Sequence, residues 1–119
     1  MGNSSVKQHY ETATKTGVFK LSQQKLEEFP PKLNNLTEVL RTIDLSENKI
    51  SNIPAEIASF SQLKHLKLSK NRISLIPESL SQLQKLESLS MCDNCIKSVP
   101  LSLSKLSHLK QVPISHYFC

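Results

Sequence analysis

The chain has little of what many folds and functions require. Its 119 residues include two glycines, no tryptophan, two tyrosines and four phenylalanines. With glycine confined to Gly2 and Gly17, no glycine-rich loop can cradle a phosphate. Scarce aromatics remove the usual anchors of tight interfaces and the stacking platforms of nucleic-acid binders. No stretch approaches the roughly 20 apolar residues of a membrane-crossing helix. The segment from Met1 to Thr16 also has no apolar centre of the kind an export signal needs. The formal net charge of +5 is spread along the chain without a run of like charges, so no nucleic-acid partner is expected. Three cysteines (Cys92, Cys95 and Cys119) and the missing export signal point to a cytoplasmic protein with reduced thiols.

Catalytic and metal chemistry find no footing either. His9, His65, His108 and His116 share no spacing with a nucleophile or a paired carboxylate, and Asp44 and Glu47 have no counterparts in neighbouring units. Cys92-Asp93-Asn94-Cys95 has C-x-x-C spacing, but a redox pair needs a helix N-terminus and zinc needs a second pair of ligands. His108, His116 and Cys119 do not provide that pair at the spacing of any zinc finger. The sequence is read as that of a non-enzyme without metal or cofactor.

What is present is a repeat. Pro30, Pro54, Pro77 and Pro100 recur at near-constant steps, the first one longer by a single position, and each follows an apolar residue (Phe29, Ile53, Ile76, Val99). Asn48, Asn71 and Asn94 keep the same step as the last three prolines. One unit reads Leu40, Ile43, Leu45, Asn48, Ile50, Ile53, Pro54, Ile57 and Phe60. The next two place Leu63, Leu66, Leu68, Asn71, Ile73 and then Leu86, Leu89, Met91, Asn94, Ile96 at the same offsets. An earlier unit supplies Phe19, Leu21, Leu26, Phe29 and Leu33, with Gln24 in the asparagine position and one extra residue before Leu40.

Each position has a physical reason. An apolar-x-apolar pair such as Ile43 and Leu45 suits a short strand, because alternate side chains face opposite sides. Asparagine suits the bend that follows, since its amide can bond the backbone of adjacent coils. Proline brings a fixed φ and no N–H, so it can open the return segment. Apolar residues three apart, such as Ile57 and Phe60, then fit a short helical or 3-10 turn.

The L-x-x-L-x-L-x-x-N pattern, recurring at roughly nine positions per unit, resembles the leucine-rich repeat family over about residues 17–114. The resemblance implies an α/β solenoid with parallel strands on a concave side and short return segments on a convex side. It also implies a scaffold that binds other proteins.

Before the repeats, Ser5-x-x-Gln8 reads as a capping box that starts a helix over residues 5–16. Val6, Tyr10 and Ala13 fall on one face of that helix, Glu11 and Lys15 form a supporting pair, and Gly17 suits its end. The domain reading is therefore a lipidation signal and capping helix over 1–16, repeats over 17–114, and a divergent tail over 115–119. Leu109, Val112 and Ile114 begin a further strand, which Pro113 and then Tyr117 interrupt. This end reads as that of a truncated chain. Its open edge of Leu103, Leu106, Leu109 and Ile114 would promote self-association, and a self-associating fragment is the alternative functional reading.

The opening Met1-Gly2-Asn3-Ser4-Ser5-Val6 begins like an N-myristoylation signal, with Gly2 as the acyl acceptor and Val6 where Ser or Thr is usual. One acyl chain gives marginal, reversible membrane contact. Partner binding is expected on the concave side. The residues between the apolar ones form three columns there: Val18, Thr42, His65, Ser88 and Gln111; Lys20, Asp44, Lys67, Ser90 and Pro113; Ser22, Ser46, Ser69, Cys92 and Ser115. The basic part of this face (Arg41, Lys64, His65, Lys67 and Lys70) suits an acidic protein segment, with Thr42, Asp44, Ser88 and Ser90 beside it.

Overall fold

A computed structural model of the chain describes residues 2–97, with side chains from Lys7 onward. Helix α1 (Gly2–Thr16) leads into strand β1 (Val18–Lys20), followed by β2 (Thr42–Asp44), β3 (His65–Lys67) and β4 (Ser88–Ser90). The four strands form one parallel sheet in the order β1-β2-β3-β4. Between them run 3-10 turns at Pro31–Leu36, Ala55–Ser59 and Glu78–Gln82. This is a leucine-rich repeat solenoid in which each coil contributes one strand and one return turn.

Strands of three residues have almost no stability alone, so the order comes from stacking. The register pairs Phe19 with Ile43, Ile43 with Leu66 and Leu66 with Leu89, and all four side chains are buried. Leu21, Leu45, Leu68 and Met91 form a second buried row two residues on. Leu33, Ile57 and Leu80 close the core from the return turns. Phe29 and Phe60 meet edge to face there, with ring centres 6.4 Å apart. Burial of each such aliphatic side chain contributes about 1.5–3 kcal/mol, and neighbouring coils share the row that provides it.

The prolines do what a fixed φ allows. Pro30, Pro54 and Pro77 hold extended conformations immediately before the 3-10 turns. Their carbonyls accept the N–H groups of Leu33, Ile57 and Leu80 at 3.2, 3.0 and 3.1 Å. Pro100, the tail and the apolar edge of Leu103, Leu106, Leu109 and Ile114 lie outside the described residues.

The asparagines bind coil to coil. Asn71 Nδ2 donates to the carbonyls of Leu45 and Leu68, both at 3.0 Å, while Ile50 N–H donates to its Oδ1 at 3.0 Å. Asn48 repeats this with Leu21, Leu45, Gln24 and Leu26, and Asn94 with Leu68, Met91 and Ile73. Asn48 and Asn71 are buried. Each amide therefore satisfies backbone groups that would otherwise be stranded at the bend.

The bend carries a second feature that the repeat pattern does not announce. The residue before each asparagine position, namely Gln23, Glu47, Lys70 and Asp93, has φ between 59° and 60°. Lys25 adopts φ 58° as well. Left-handed conformations of non-glycine residues cost about 1–2 kcal/mol each. At Glu47, Lys70 and Asp93 the bonds of the asparagine that follows act against that cost, and at Gln23 and Lys25 the N–H groups of Gln24 and Leu26 donate to Asn48 of the next coil.

The capping helix differs from the sequence reading at its start. It begins at Gly2, so Ser5 lies within the helix and does not cap it. Gly2, Asn3 and Ser4 are weak helix formers, and for that reason their segment carries no helical signal in the sequence. Further along, Ala13 is fully buried and Tyr10 lies against Phe19, with ring centres 4.9 Å apart. Val6, the remaining member of the expected face, has its side chain outside the described part. Gly17 ends the helix with φ 79°, its N–H donating to Ala13 O at 2.8 Å. Its own carbonyl accepts the N–H groups of Arg41 and Thr42, which joins the cap to the second coil.

Candidate functional site

Backbone pairing places the outward residues of the strands in straight rows. Val18, Thr42, His65 and Ser88 are successive partners, as are Lys20, Asp44, Lys67 and Ser90. Neighbouring members lie about 4.8 Å apart across the sheet. A third row precedes the strands: Lys64 N–H donates to Arg41 O at 2.8 Å and Glu87 N–H to Lys64 O at 2.8 Å. Arg41, Lys64 and Lys67 are exposed, whereas Thr42, His65, Ser88 and Ser90 are half-buried between their neighbours.

The electrostatics divide this face. Arg41, Lys64, His65 and Lys67 gather on and beside β2 and β3. Glu87 ends their row next to β4. Lys70 is less free than its exposure suggests, because its Nζ lies 3.9 Å from Glu47 Oε2. Asp44 is partly engaged too, its Oδ1 accepting Ser46 N–H at 3.1 Å. Ser69 Oγ and Ser90 Oγ are 2.8 Å apart, and Cys92 N–H donates to Ser69 Oγ at 3.0 Å. The face thus has a positive centre on two strands and a hydroxyl-lined flank bordered by Glu87, a surface suited to polar recognition. Gln111, Pro113 and Ser115 of the expected columns lie outside the described residues.

Two cavities frame the cap. One, of about 460 Å³, is lined by Gln8, His9 and Thr12 of α1 with Val18, Lys20, Leu21, Ser22 and Gln24. The other, of about 310 Å³, lies at the C-terminal end of α1 among Lys15, Thr16, Gly17, Glu38, Val39, Arg41 and Gln62. His9 also contacts Phe19 edge-on at 6.4 Å. Burial raises the Tyr10 phenol above its ordinary value.

The C-x-x-C segment holds no bridged pair. Cys95 is an exposed free thiol, whereas Cys92 is disulfide-bonded, which departs from the expectation of reduced thiols throughout. Among the described residues no group of His, Cys, Asp and Glu is placed to hold a metal ion. His108, His116 and Cys119 lie outside them. No described helix is long and apolar enough to cross a membrane.

Rows of this kind also identify what the chain is similar to. A family model described as leucine rich repeat matches residues 18–73 and again 38–94. An Arabidopsis thaliana protein with LRR repeats and a ubiquitin-like domain is 39% identical over 51 residues, 43% of this chain and 14% of that protein. The BIR2 ectodomain from the same plant superposes with a TM-score of 0.67 at 30% identity, covering 76% of this chain and 50% of its own. An internalin, InlF, from Listeria monocytogenes gives 0.61 at 30% identity, covering 69% of this chain and 23% of the internalin. The chain spans only a seventh to a half of these relatives. With its model matched across most of the described repeats, the chain belongs to the leucine-rich repeat family.

Proposed function

We propose that the chain is a cytoplasmic protein-binding scaffold that takes its partner on the concave sheet. The observation that carries this reading is the set of straight polar rows, Thr42-His65-Ser88 and Asp44-Lys67-Ser90, held on a rigid stack. Arg41, Lys64, His65 and Lys67, with Lys70 at the margin, select an acidic protein segment by charge. Thr42, Ser88 and Ser90 contribute hydrogen bonds, and Asp44 orients a basic residue of the partner. No bond-making step is assigned to any of them. The finer part of the reading is N-myristoylation of Gly2, which adds reversible membrane contact.

Proximity labelling in cells tests both parts. Lys64→Glu with Lys67→Glu should reduce labelling of the protein partners by about ten-fold or more, which corresponds to about 1.4 kcal/mol. Labelling that is unchanged would place the partner site elsewhere. Gly2→Ala should remove membrane neighbours and keep the protein partners. A native N-terminal peptide without an acyl group, as measured by mass, would end the lipid reading.

A further inference from the structure

The row next to the asparagines has an unusual content. Lys25, Lys49 and Arg72 occupy the same position in three successive coils. Backbone bonds stack this row: Lys49 N–H donates to Leu26 O at 2.7 Å, Arg72 N–H to Ile50 O at 2.8 Å and Cys95 N–H to Ile73 O at 2.9 Å. Among the described repeats no other row holds three charges of one sign. Like charges stacked side by side repel, and none of the three cations forms an ion pair with another described residue. The acidic groups on the same edge are Glu27, Asp93 and Glu47, the last held by Lys70.

Helix α1 begins on the side of this edge and runs away from it. Its last residues, Lys15 and Thr16, share a cavity with Val39 and Arg41, where the chain enters the strands. Gln8 and His9 share the other cavity with Ser22 and Gln24, where the chain leaves them. From Thr16 back to Gly2 the helix advances about 21 Å at about 1.5 Å per residue. Gln8, six residues from Gly2, already lies beside Gln24, so the helix continues about 9 Å beyond that cavity to its start. The start of α1 therefore lies on the side where the chain leaves the strands, the side on which Lys25 heads the cationic row.

We infer that Lys25, Lys49 and Arg72, together with the start of α1, form an edge that docks on an anionic lipid bilayer. This inference rests on the reading of Gly2 as an acyl-anchor position, for which the row supplies the second signal that one acyl chain needs. The signal is invisible as a run of charge because its members lie a full repeat apart in sequence. It exists only in the folded coil. Docking along this edge also leaves the concave face free for a protein partner.

The test uses the chain co-expressed with an N-myristoyltransferase, its mass checked. Sucrose-loaded vesicles are made of phosphatidylcholine alone or of phosphatidylcholine mixed with phosphatidylserine. Lys25→Gln/Lys49→Gln/Arg72→Gln is compared with a charge-matched control, Lys15→Gln/Lys32→Gln/Lys85→Gln. Each cation at the surface strengthens partitioning about five-fold, so the edge variant should lose about a hundred-fold on anionic vesicles. The control should lose less than about five-fold, and the preference of the parent chain should fade at high salt. Equal losses in both variants would overturn the inference, as would equal binding of the parent chain to both vesicle types. Binding of a polyglutamate peptide through the edge without vesicle binding would overturn it in favour of a protein partner. If Gly2 stays unmodified, the acyl reading fails by mass alone, and the edge is then read from the unmodified chain at high lipid as the same ratio between vesicle types. A ratio near one in that setting overturns the edge as well.

Discussion

Asn71 donates to the carbonyl of Leu45 in the preceding coil and of Leu68 in its own, both at 3.0 Å, from a buried position. One side chain thus joins two coils through backbone atoms, which makes the bond independent of the identity of Leu45 and Leu68. Removing it strands those carbonyls and the Ile50 N–H together. Asn71→Ala should cost about 2–4 kcal/mol in chemical denaturation. Asn94 is half-exposed, so water can replace its bonds and Asn94→Ala should cost about half as much. Equal and small losses at both positions would show that the amides contribute little.

Gly17 offers a sharper test of the cap. Its φ of 79° disfavours any L side chain, and a Cβ there would stand 3.0 Å from Val39 O. Gly17→Ala should therefore destabilise by about 2 kcal/mol through backbone conformation and crowding. Circular dichroism and thermal melting measure this. A neutral Gly17→Ala would mean that the junction between cap and second coil is soft.

The left-handed residues give a prediction of opposite sign. Gln23 is exposed at φ 59°. Gln23→Gly should raise stability by about 0.5–1 kcal/mol, after the entropy that glycine loses on folding is subtracted. Gln23→Val should lower it by about 1 kcal/mol, because a β-branched side chain resists that conformation. Denaturant midpoints for the pair would reveal whether the bend is strained.

Much of the solenoid is legible in the sequence, and the reason is geometric. A coil that returns at a constant step must place Ile43, Leu66 and Leu89 side by side, so spacing alone gives the strand register. The concave rows follow from the same spacing. The left-handed bend is not legible, because Gln23, Glu47, Lys70 and Asp93 have no common chemistry and their conformation is imposed by the asparagine position that follows. The helix start at Gly2 is hidden by residues of weak propensity. At the candidate site, the sequence shows the basic residues and hides the pairing of one of them, since the contact of Lys70 with Glu47 crosses from one coil to the next.

Tyr10 sets a pH dependence. Its phenol lies above the ordinary value of 10.0 in the folded chain, through burial against Phe19. At high pH the unfolded chain releases this proton first, so the unfolded state binds fewer protons and stability falls as pH rises. The contribution is complete below about pH 10 and is lost as pH climbs through the raised folded value. Tyr10→Phe should flatten the alkaline part of a stability–pH curve relative to the parent. Identical curves would mean that the phenol is solvated in solution.

The central claim is that a partner lies across the concave strands. Site-specific photo-crosslinking in cells tests it most directly, with a photoreactive residue placed at Thr42 or Ser88 on the strands and at Glu56 or Ser59 on the return turn. Adducts of one partner should form from the two strand positions and disappear when Lys64→Glu and Lys67→Glu are added, while the return-turn positions yield none. Adducts that form from Glu56 or Ser59, or that survive the charge reversals, would contradict the account.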